Sequence, residues 1–216
     1  EIRKAYLKGE RIETVYFGGG TPSQLEEEDF KQIFDTLQAC YGMEHCYEIT
    51  LEANPDDLSV PYMQMLSTLP FNRISMGIQT FDDATLTLLK RRHNARTAIE
   101  AVGRCRQAGF DNISIDLIYG LPGETKERWE NDLRQAIDLQ VEHISAYHLI
   151  YEEDTPIYSM LKQHQVCEVD EESSLEFFTL LIEQLQKAGF EQYEISNFCR
   201  PGKHSRHNTS YWKGIP

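Results

Sequence analysis

A chain of 216 residues with 40% apolar content can bury a substantial core, as one large domain or one domain plus a fragment. Its net charge of −14 repels polyphosphate backbones and excludes sequence-independent nucleic-acid binding. No apolar run approaches the roughly 18 residues of a bilayer span and no signal-peptide pattern opens the chain, so the expectation is a cytoplasmic protein that is not an integral membrane protein. Cysteines at 40, 46, 105, 167 and 199 are odd in number and scattered, which predicts reduced, mostly buried thiols rather than a secreted disulfide framework.

The chain opens on a charged, helix-like segment, Glu1 to Gly9. A short β-rich run, Thr14 to Phe17, then stops on Gly18-Gly19-Gly20 and restarts as a helix. Ser23 and Glu26 have capping-box spacing ahead of Glu27 to Tyr41, which carries Phe30, Ile33, Phe34 and Leu37 on one face. Three residues without a Cβ let the backbone turn tightly and let a ligand reach main-chain groups. Neither phosphate-binding glycine fingerprint is present, so a nucleoside triphosphate is a poor fit.

Further strands are predicted at Tyr47 to Leu51, Arg73 to Ile78, Asn112 to Ile118 and His143 to His148. Helices fall between or after them at Val60 to Leu69, Ala84 to Leu89, Thr97 to Ala108 and Lys126 to Leu139. Strand and helix alternating about every thirty residues is the rhythm of βα units building a parallel sheet. Met63, Met65 and Met76 are core filler in this scheme. Gly109 and Gly189 each follow an alanine where a helix needs a left-handed terminator. Tyr151 to Pro156 is read as a loop, and Glu168 to Glu172 as a solvated start to a helix at Ser173 to Ala188. The expected division is a core over residues 1–166 and, over 167–216, a helix plus the start of a further region.

Each predicted strand ends on or near a polar residue that an apolar sheet would not otherwise want: Glu52, Gln79, Asp116 and His148. One such residue is usually a cap or a satisfied core group, but four in register converge if the strands lie side by side. With Arg91 and the open backbone of Gly18 to Gly20, they suit a zwitterionic ligand. Carbonyls or carboxylates take an ammonium, the guanidinium fork takes a carboxylate, and an acid takes ribose hydroxyls. No hydrolytic constellation is present.

The segments GGGTPS at 18–23, LEANP at 51–55, RISMGIQTF at 73–81, LKRRHN at 89–94 and IDLIYGLPG at 115–123 together resemble the radical S-adenosylmethionine proteins, in the subgroup of oxygen-independent coproporphyrinogen oxidases and their relatives. The resemblance implies an α/β fold, a partial (β/α) barrel of parallel strands with helices outside. Its first strand and cluster loop would be missing, and the start of a C-terminal region would follow. It also implies S-adenosylmethionine bound across the carboxyl ends of the strands, on Gly19, Gly20, Thr21, Glu52, Gln79, Arg91 and Asp116. Lys90 departs from the glycine that often precedes this arginine in the family, and only a local change is expected. The family's C-x-x-x-C-x-x-C motif for a [4Fe–4S] cluster is absent, so the cluster cysteines are expected upstream of Glu1 and this chain alone is expected to bind no cluster and be inactive.

The far end, Arg206-His207-Asn208-Thr209-Ser210-Tyr211-Trp212, resembles the heme-chaperone branch of that subgroup. That implies binding of heme and its transfer to an acceptor protein. His207 is the candidate iron ligand, and Tyr211 and Trp212 offer flat surfaces for a porphyrin. The alternative is oxidative decarboxylation of coproporphyrinogen III to protoporphyrinogen IX. A metal site of Cys199, His204 and His207 meets no standard zinc spacing.

Overall fold

The inner strands alternate strictly: Ile49, Leu51 and Ala53 against Glu48, Thr50 and Glu52; Ile74, Met76 and Ile78 against Arg73 and Ser75; Ile113, Ile115 and Leu117 against Ser114 and Asp116; Ile144 and Ala146 against His143 and Ser145. Side chains two apart share a face of a strand, so one face of this sheet is apolar and the other polar. A computed structural model describes residues 11–215. The helix expected over Glu1 to Gly9 lies outside the described residues.

Five parallel strands lie side by side in chain order: β1 (Thr14–Phe17), β2 (Glu48–Ala53), β3 (Arg73–Gln79), β4 (Ile113–Tyr119) and β5 (His143–His148). The apolar faces meet helices α1 (Glu27–Tyr41), α2 (Val60–Leu66), α4 (Ala95–Gln107), α5 (Lys126–Asp138) and α7 (Glu171–Lys187), which with the strands bury one continuous core. A short α3 (Asp83–Leu88) follows β3. The sheet is open, with β1 as one edge. The fold is α/β, a partial barrel of parallel strands with helices outside, as expected.

Past β5 the chain departs from the βα rhythm. After α7 it returns through β6 (Glu191–Gln192) and β7 (Asn197–Cys199), and β7 pairs antiparallel with β5, so β6 becomes the second edge. The last element, α8 (Arg206–Lys213), lies against the far edge strand. Ser205 caps it through a 3.2 Å bond to the Asn208 N–H, and the buried Glu48 at the start of β2 accepts the N–H groups of Arg206 and His207, both at 2.9 Å. A carboxylate at a helix N-terminus satisfies orphan amides and complements the helix dipole.

Local signals succeed where the chemistry is local. Gly109 and Gly189 take φ of +93° and +82°, and Phe110 and Phe190 close the double bond of a Schellman end onto Cys105 and Leu185. Met63 and Met76 are fully buried, and Met65 packs against the same core. The expected Ser23–Glu26 capping box is corrected: Glu26 itself caps α1, paired reciprocally with Asp29, while Ser23 sits in a preceding 3-10 turn and donates to Asp57 at 2.6 Å. The loop expected through Pro156 ends one residue sooner, because Thr155 caps α6 (Pro156–Lys162) with Pro156 as its first residue. The cysteines are less buried than expected. Cys105 and Cys199 are buried, Cys40 and Cys46 half-buried, and Cys167 exposed.

Candidate functional site

The polar face of the strands encloses two joined cavities, of about 570 and 210 Å³, which share Glu52, Ser75, Gln79 and Asp116 as their common wall. The smaller lies at the carboxyl ends of β1 to β4, roofed by the glycine loop. It is lined by Gly20, Thr21, Glu52, Gln79, Arg91 and Asp116, six of the seven ligand residues expected from the sequence, together with Asn54 and Gly77. The seventh, Gly19, donates its N–H to Glu52 Oε2 at 3.2 Å.

Three devices shape this cleft. Gly19 and Gly20 take φ of +76° and +62°, and a Cβ on either would meet nothing within 4 Å, so the loop backbone is open to a ligand. Glu52 pins that loop from below, accepting from the Tyr16 hydroxyl at 2.7 Å as well as from Gly19. Burial and this carboxylate push the Tyr16 phenol far above its ordinary pKa, so Tyr16 remains a donor. Arg91 reaches in from the end of α3, donating through Nη2 to Asn54 Oδ1 at 2.7 Å and Gly77 O at 3.1 Å. A Cβ at Gly77 would come within 2.9 Å of the Gln79 amide and 3.3 Å of Arg91 Nη2, so both side chains lie close over this backbone. The rest of the basic run turns elsewhere: Arg92 pairs with Asp56 and Asp57, and His93 bonds Ile78 O.

Gln79 stands in a rare conformation. Its φ is +73°, and the Thr80 N–H closes onto Ile78 O at 3.0 Å across it, a γ-turn that interrupts the β3–β4 register. The buried Asp132 of α5 fixes the turn from behind, accepting from Thr80 Oγ1 at 2.5 Å and the Phe81 N–H at 3.0 Å. Strain held by surrounding bonds at a cleft aims a side chain where a relaxed strand would not. Lys90 has φ of +55°, which is why glycine is at home in that position.

Asp116 sits where both cavities meet. Burial lifts its carboxyl to about 6, against the pull of the Ser145 and Ser75 hydroxyls and the Arg73 charge and with the repulsion of Glu52. A carboxylate that is easily neutralised and ringed by hydroxyls suits hydrogen bonding to a polyol.

The larger cavity holds His207, Asn208 and Tyr211 of α8 opposite Ile118, Ser145, Tyr147 and His148 of β4 and β5. The His207 ring stacks on Tyr16 at 4.8 Å, its Nδ1 lies 3.0 Å from Thr14 Oγ1, and Tyr211 meets it edge-on at 5.3 Å. Burial holds the imidazole below the ordinary histidine range, with Glu48 opposing and Arg73 adding to the shift. A neutral, oriented imidazole is the form that ligates a metal. Trp212 is 62% exposed and lines neither cavity. His148 is tied to Ser174 and the Leu149 carbonyl at the cavity wall.

Sequence reasoning missed Tyr16, Arg73, Ser75, His143, Ser145 and Asn197 as cavity residues. The signal was there, because the alternation in β2 to β5 puts polar residues at the inward positions, with Gly77 and Ile118 as exceptions. A barrel interior filled for stability alone carries bulky branched apolar side chains there.

A family model described as the Radical SAM superfamily matches residues 1–136. The chain belongs to the radical SAM superfamily. Among curated relatives, it is 37% identical over 202 residues to a protein of Bacillus subtilis named heme chaperone HemW, covering 93% of this chain and 53% of the relative. It is 34% identical over 203 residues to the Bos taurus mitochondrial protein named radical S-adenosyl methionine domain-containing protein 1, covering 94% and 46%. The chain thus spans about half the length of the curated relatives it matches. The solved structure of HemN, the Escherichia coli coproporphyrinogen III oxidase, shares the fold with a TM-score of 0.78 at 21% identity over 99% of this chain and half of that one.

The family implies S-adenosylmethionine and a [4Fe–4S] cluster, and the two fare differently here. The open glycine backbone, the Arg91 fork and Asp116 around one cleft fit a zwitterionic nucleoside. For the cluster there is no thiolate set, since the five cysteines are dispersed and no cluster of metal-binding side chains forms among the described residues. No helix among the described residues is long and apolar enough to cross a membrane.

Proposed function

We propose that this chain is the S-adenosylmethionine-binding barrel of a heme chaperone, holding S-adenosylmethionine in the smaller cleft and heme in the larger cavity on its way to an acceptor protein. The observation that carries this is the meeting of two independent sets at one wall. The seven residues expected for S-adenosylmethionine gather on one side of Glu52 and Asp116, and His207 faces the same lumen from the other side. The relatives named as heme chaperones, matched over more than nine-tenths of this chain, support the second half.

In this scheme the loop amides of Gly19 and Gly20 and the hydroxyl of Thr21 meet the amino-acid end of S-adenosylmethionine, and Glu52 holds that loop in place. Arg91 neutralises its carboxylate, Asp116 accepts from the ribose, and Gln79 is aimed by its strained turn at the sulfonium or base. Bound to a reduced cluster, S-adenosylmethionine supplies radical chemistry. His207 donates Nε2 to heme iron, its Nδ1 oriented by Thr14, and the rings of Tyr16 and Tyr211 flank the porphyrin.

Titration with hemin, followed at the Soret band, tests the assignment. Stoichiometric binding by the wild type and a loss of at least about tenfold in affinity in His207→Ala are expected. Equal affinity in both proteins would refute His207 as the ligand, and no binding by the wild type would refute heme carriage by this chain. Turnover of coproporphyrinogen III by the protein with its cluster would replace chaperone by oxidase.

A further inference from the structure

At the amino ends of β2 to β5 five inward polar side chains lie at or beneath the floor of the larger cavity, Arg73 and His143 lining it, and their partners can be followed one by one. Glu48 is committed to the first amides of α8. His143 and Ser114 satisfy each other at 2.8 Å, and the second nitrogen of His143 lies 2.7 Å from the Tyr193 hydroxyl. Two groups are left over. The buried Nε of Arg73 and Oγ1 of Thr50 have no hydrogen-bond partner, and the two residues are direct neighbours in the β2–β3 register.

Arg73 is the anomaly. It is only 2% exposed, it lines the cavity, and no ion pair joins it to a carboxylate among the described residues. A buried aspartate or lysine escapes such a position by changing protonation, but a guanidinium keeps its charge at any pH a protein survives. The Asp116 carboxylate acts on this charge across the lumen but makes no hydrogen bond to it, so the guanidinium keeps a buried donor unsatisfied that a hydrogen-bonding anion from outside would meet. Its own lumen narrows the choice. Asp116 and Glu52 stand in the same cavity wall, so a dianion such as phosphate would be repelled more strongly than a single carboxylate, which takes a guanidinium through two parallel hydrogen bonds. Above this floor Tyr16, His207 and Tyr211 present ring surface to the body of whatever carries the carboxylate.

We propose that Arg73 is the receptor for a carboxylate of the molecule held in the lumen, and that this carboxylate is a propionate of the tetrapyrrole cargo. The second clause rests on the heme assignment above. The first does not. Arg73 fixes which edge of the macrocycle points into the barrel, and so presents the iron to His207 in one orientation.

The test compares hemin with hemin dimethyl ester in Soret titrations of wild type, Arg73→Gln and Arg73→Lys, with thermal melts of each ligand-free protein. Wild type is expected to prefer the diacid at least about tenfold, the price of leaving one charge-assisted pair unmade. Arg73→Gln should lose that preference by weakening the diacid alone, Arg73→Lys should keep part of it, and Arg73→Gln should melt at or above the wild-type temperature. A preference that survives in Arg73→Gln overturns the proposal, as does a Arg73→Gln protein that melts several degrees lower or fails to fold, because its guanidinium would then be partnered in the native state. A separate arm uses sodium propionate against sodium chloride at matched ionic strength. A higher melting temperature in wild type and none in Arg73→Gln supports a carboxylate receptor even if hemin fails to bind; no shift in wild type overturns it.

Discussion

The outward face of the five parallel strands carries Ile49, Leu51, Ile74, Met76, Ile113, Ile115 and Ile144, all 5% exposed or less and packed against helices, while the inward face of the same strands carries Glu48, Thr50, Glu52, Arg73, Ser75, Asp116, His143 and Ser145. Outside, burial of these apolar side chains against the helices contributes the free energy of folding. Inside, the side chains are costly: Thr50 and Arg73 have unmet hydrogen-bonding atoms, Asp116 is lifted toward neutrality, and His143 is held well below its ordinary range by burial. One face stabilises the barrel, and the other spends stability on chemistry.

Substitutions of opposite sign at adjacent positions of one strand would break that contrast or sharpen it. Ile115→Ala, outward on β4, should lose about 3 kcal/mol through transfer and cavity terms, with ligand affinity unchanged. Asp116→Asn, one residue on and inward, should gain. A carboxyl raised from 3.8 to about 6 in the fold stabilises the native state only below the unfolded value, and that contribution disappears as pH rises through about 6. Denaturant titrations of the variant and wild type should therefore diverge between pH 4 and 6. Above that the variant should be ahead by up to roughly 3 kcal/mol, the equivalent of two pKa units. Equal losses at both positions, or a difference independent of pH, would mean that the two faces are not energetically distinct.

The smaller effect concerns strain. Gln79→Gly should stabilise by about 1 kcal/mol, because glycine adopts the γ-turn without penalty, and should weaken S-adenosylmethionine binding because the aimed amide is gone. A Gln79→Gly protein no more stable than wild type would remove strain from the account of this turn.

How much of this was legible follows from how local each cause is. The five strands, the covering helices and the Schellman ends at Gly109 and Gly189 are written in spacing and in single residues, and they are found within a residue or two of expectation, apart from the C-terminus of α2. Glu52, Gln79 and Asp116 were legible because strand ends are where a parallel sheet offers polar side chains to a ligand, whereas Gly19, Gly20, Thr21 and Arg91 lie on loops and complete the set through the family resemblance. Helix α8 was not legible as a helix, since its N-terminal amides are held by Glu48, some 158 positions earlier in the chain. Strands β6 and β7 are two and three residues long, too short for any period to show. The positive φ of Gln79 and Lys90 is imposed on residues that do not advertise it. Arg73 looked like an ordinary strand start, and only the register beside Thr50 reveals a cation with nothing to pair with.

The central claim is that Gly19, Gly20, Thr21, Glu52, Gln79, Arg91 and Asp116 form one S-adenosylmethionine site. Calorimetric titration of S-adenosylmethionine into wild type, Arg91→Ala and Asp116→Ala at pH 8 tests it most directly. Binding by the wild type that weakens at least about tenfold in each variant is predicted, since each removes a charge-assisted contact in a partly desolvated cleft. Indistinguishable affinities in all three proteins would contradict it.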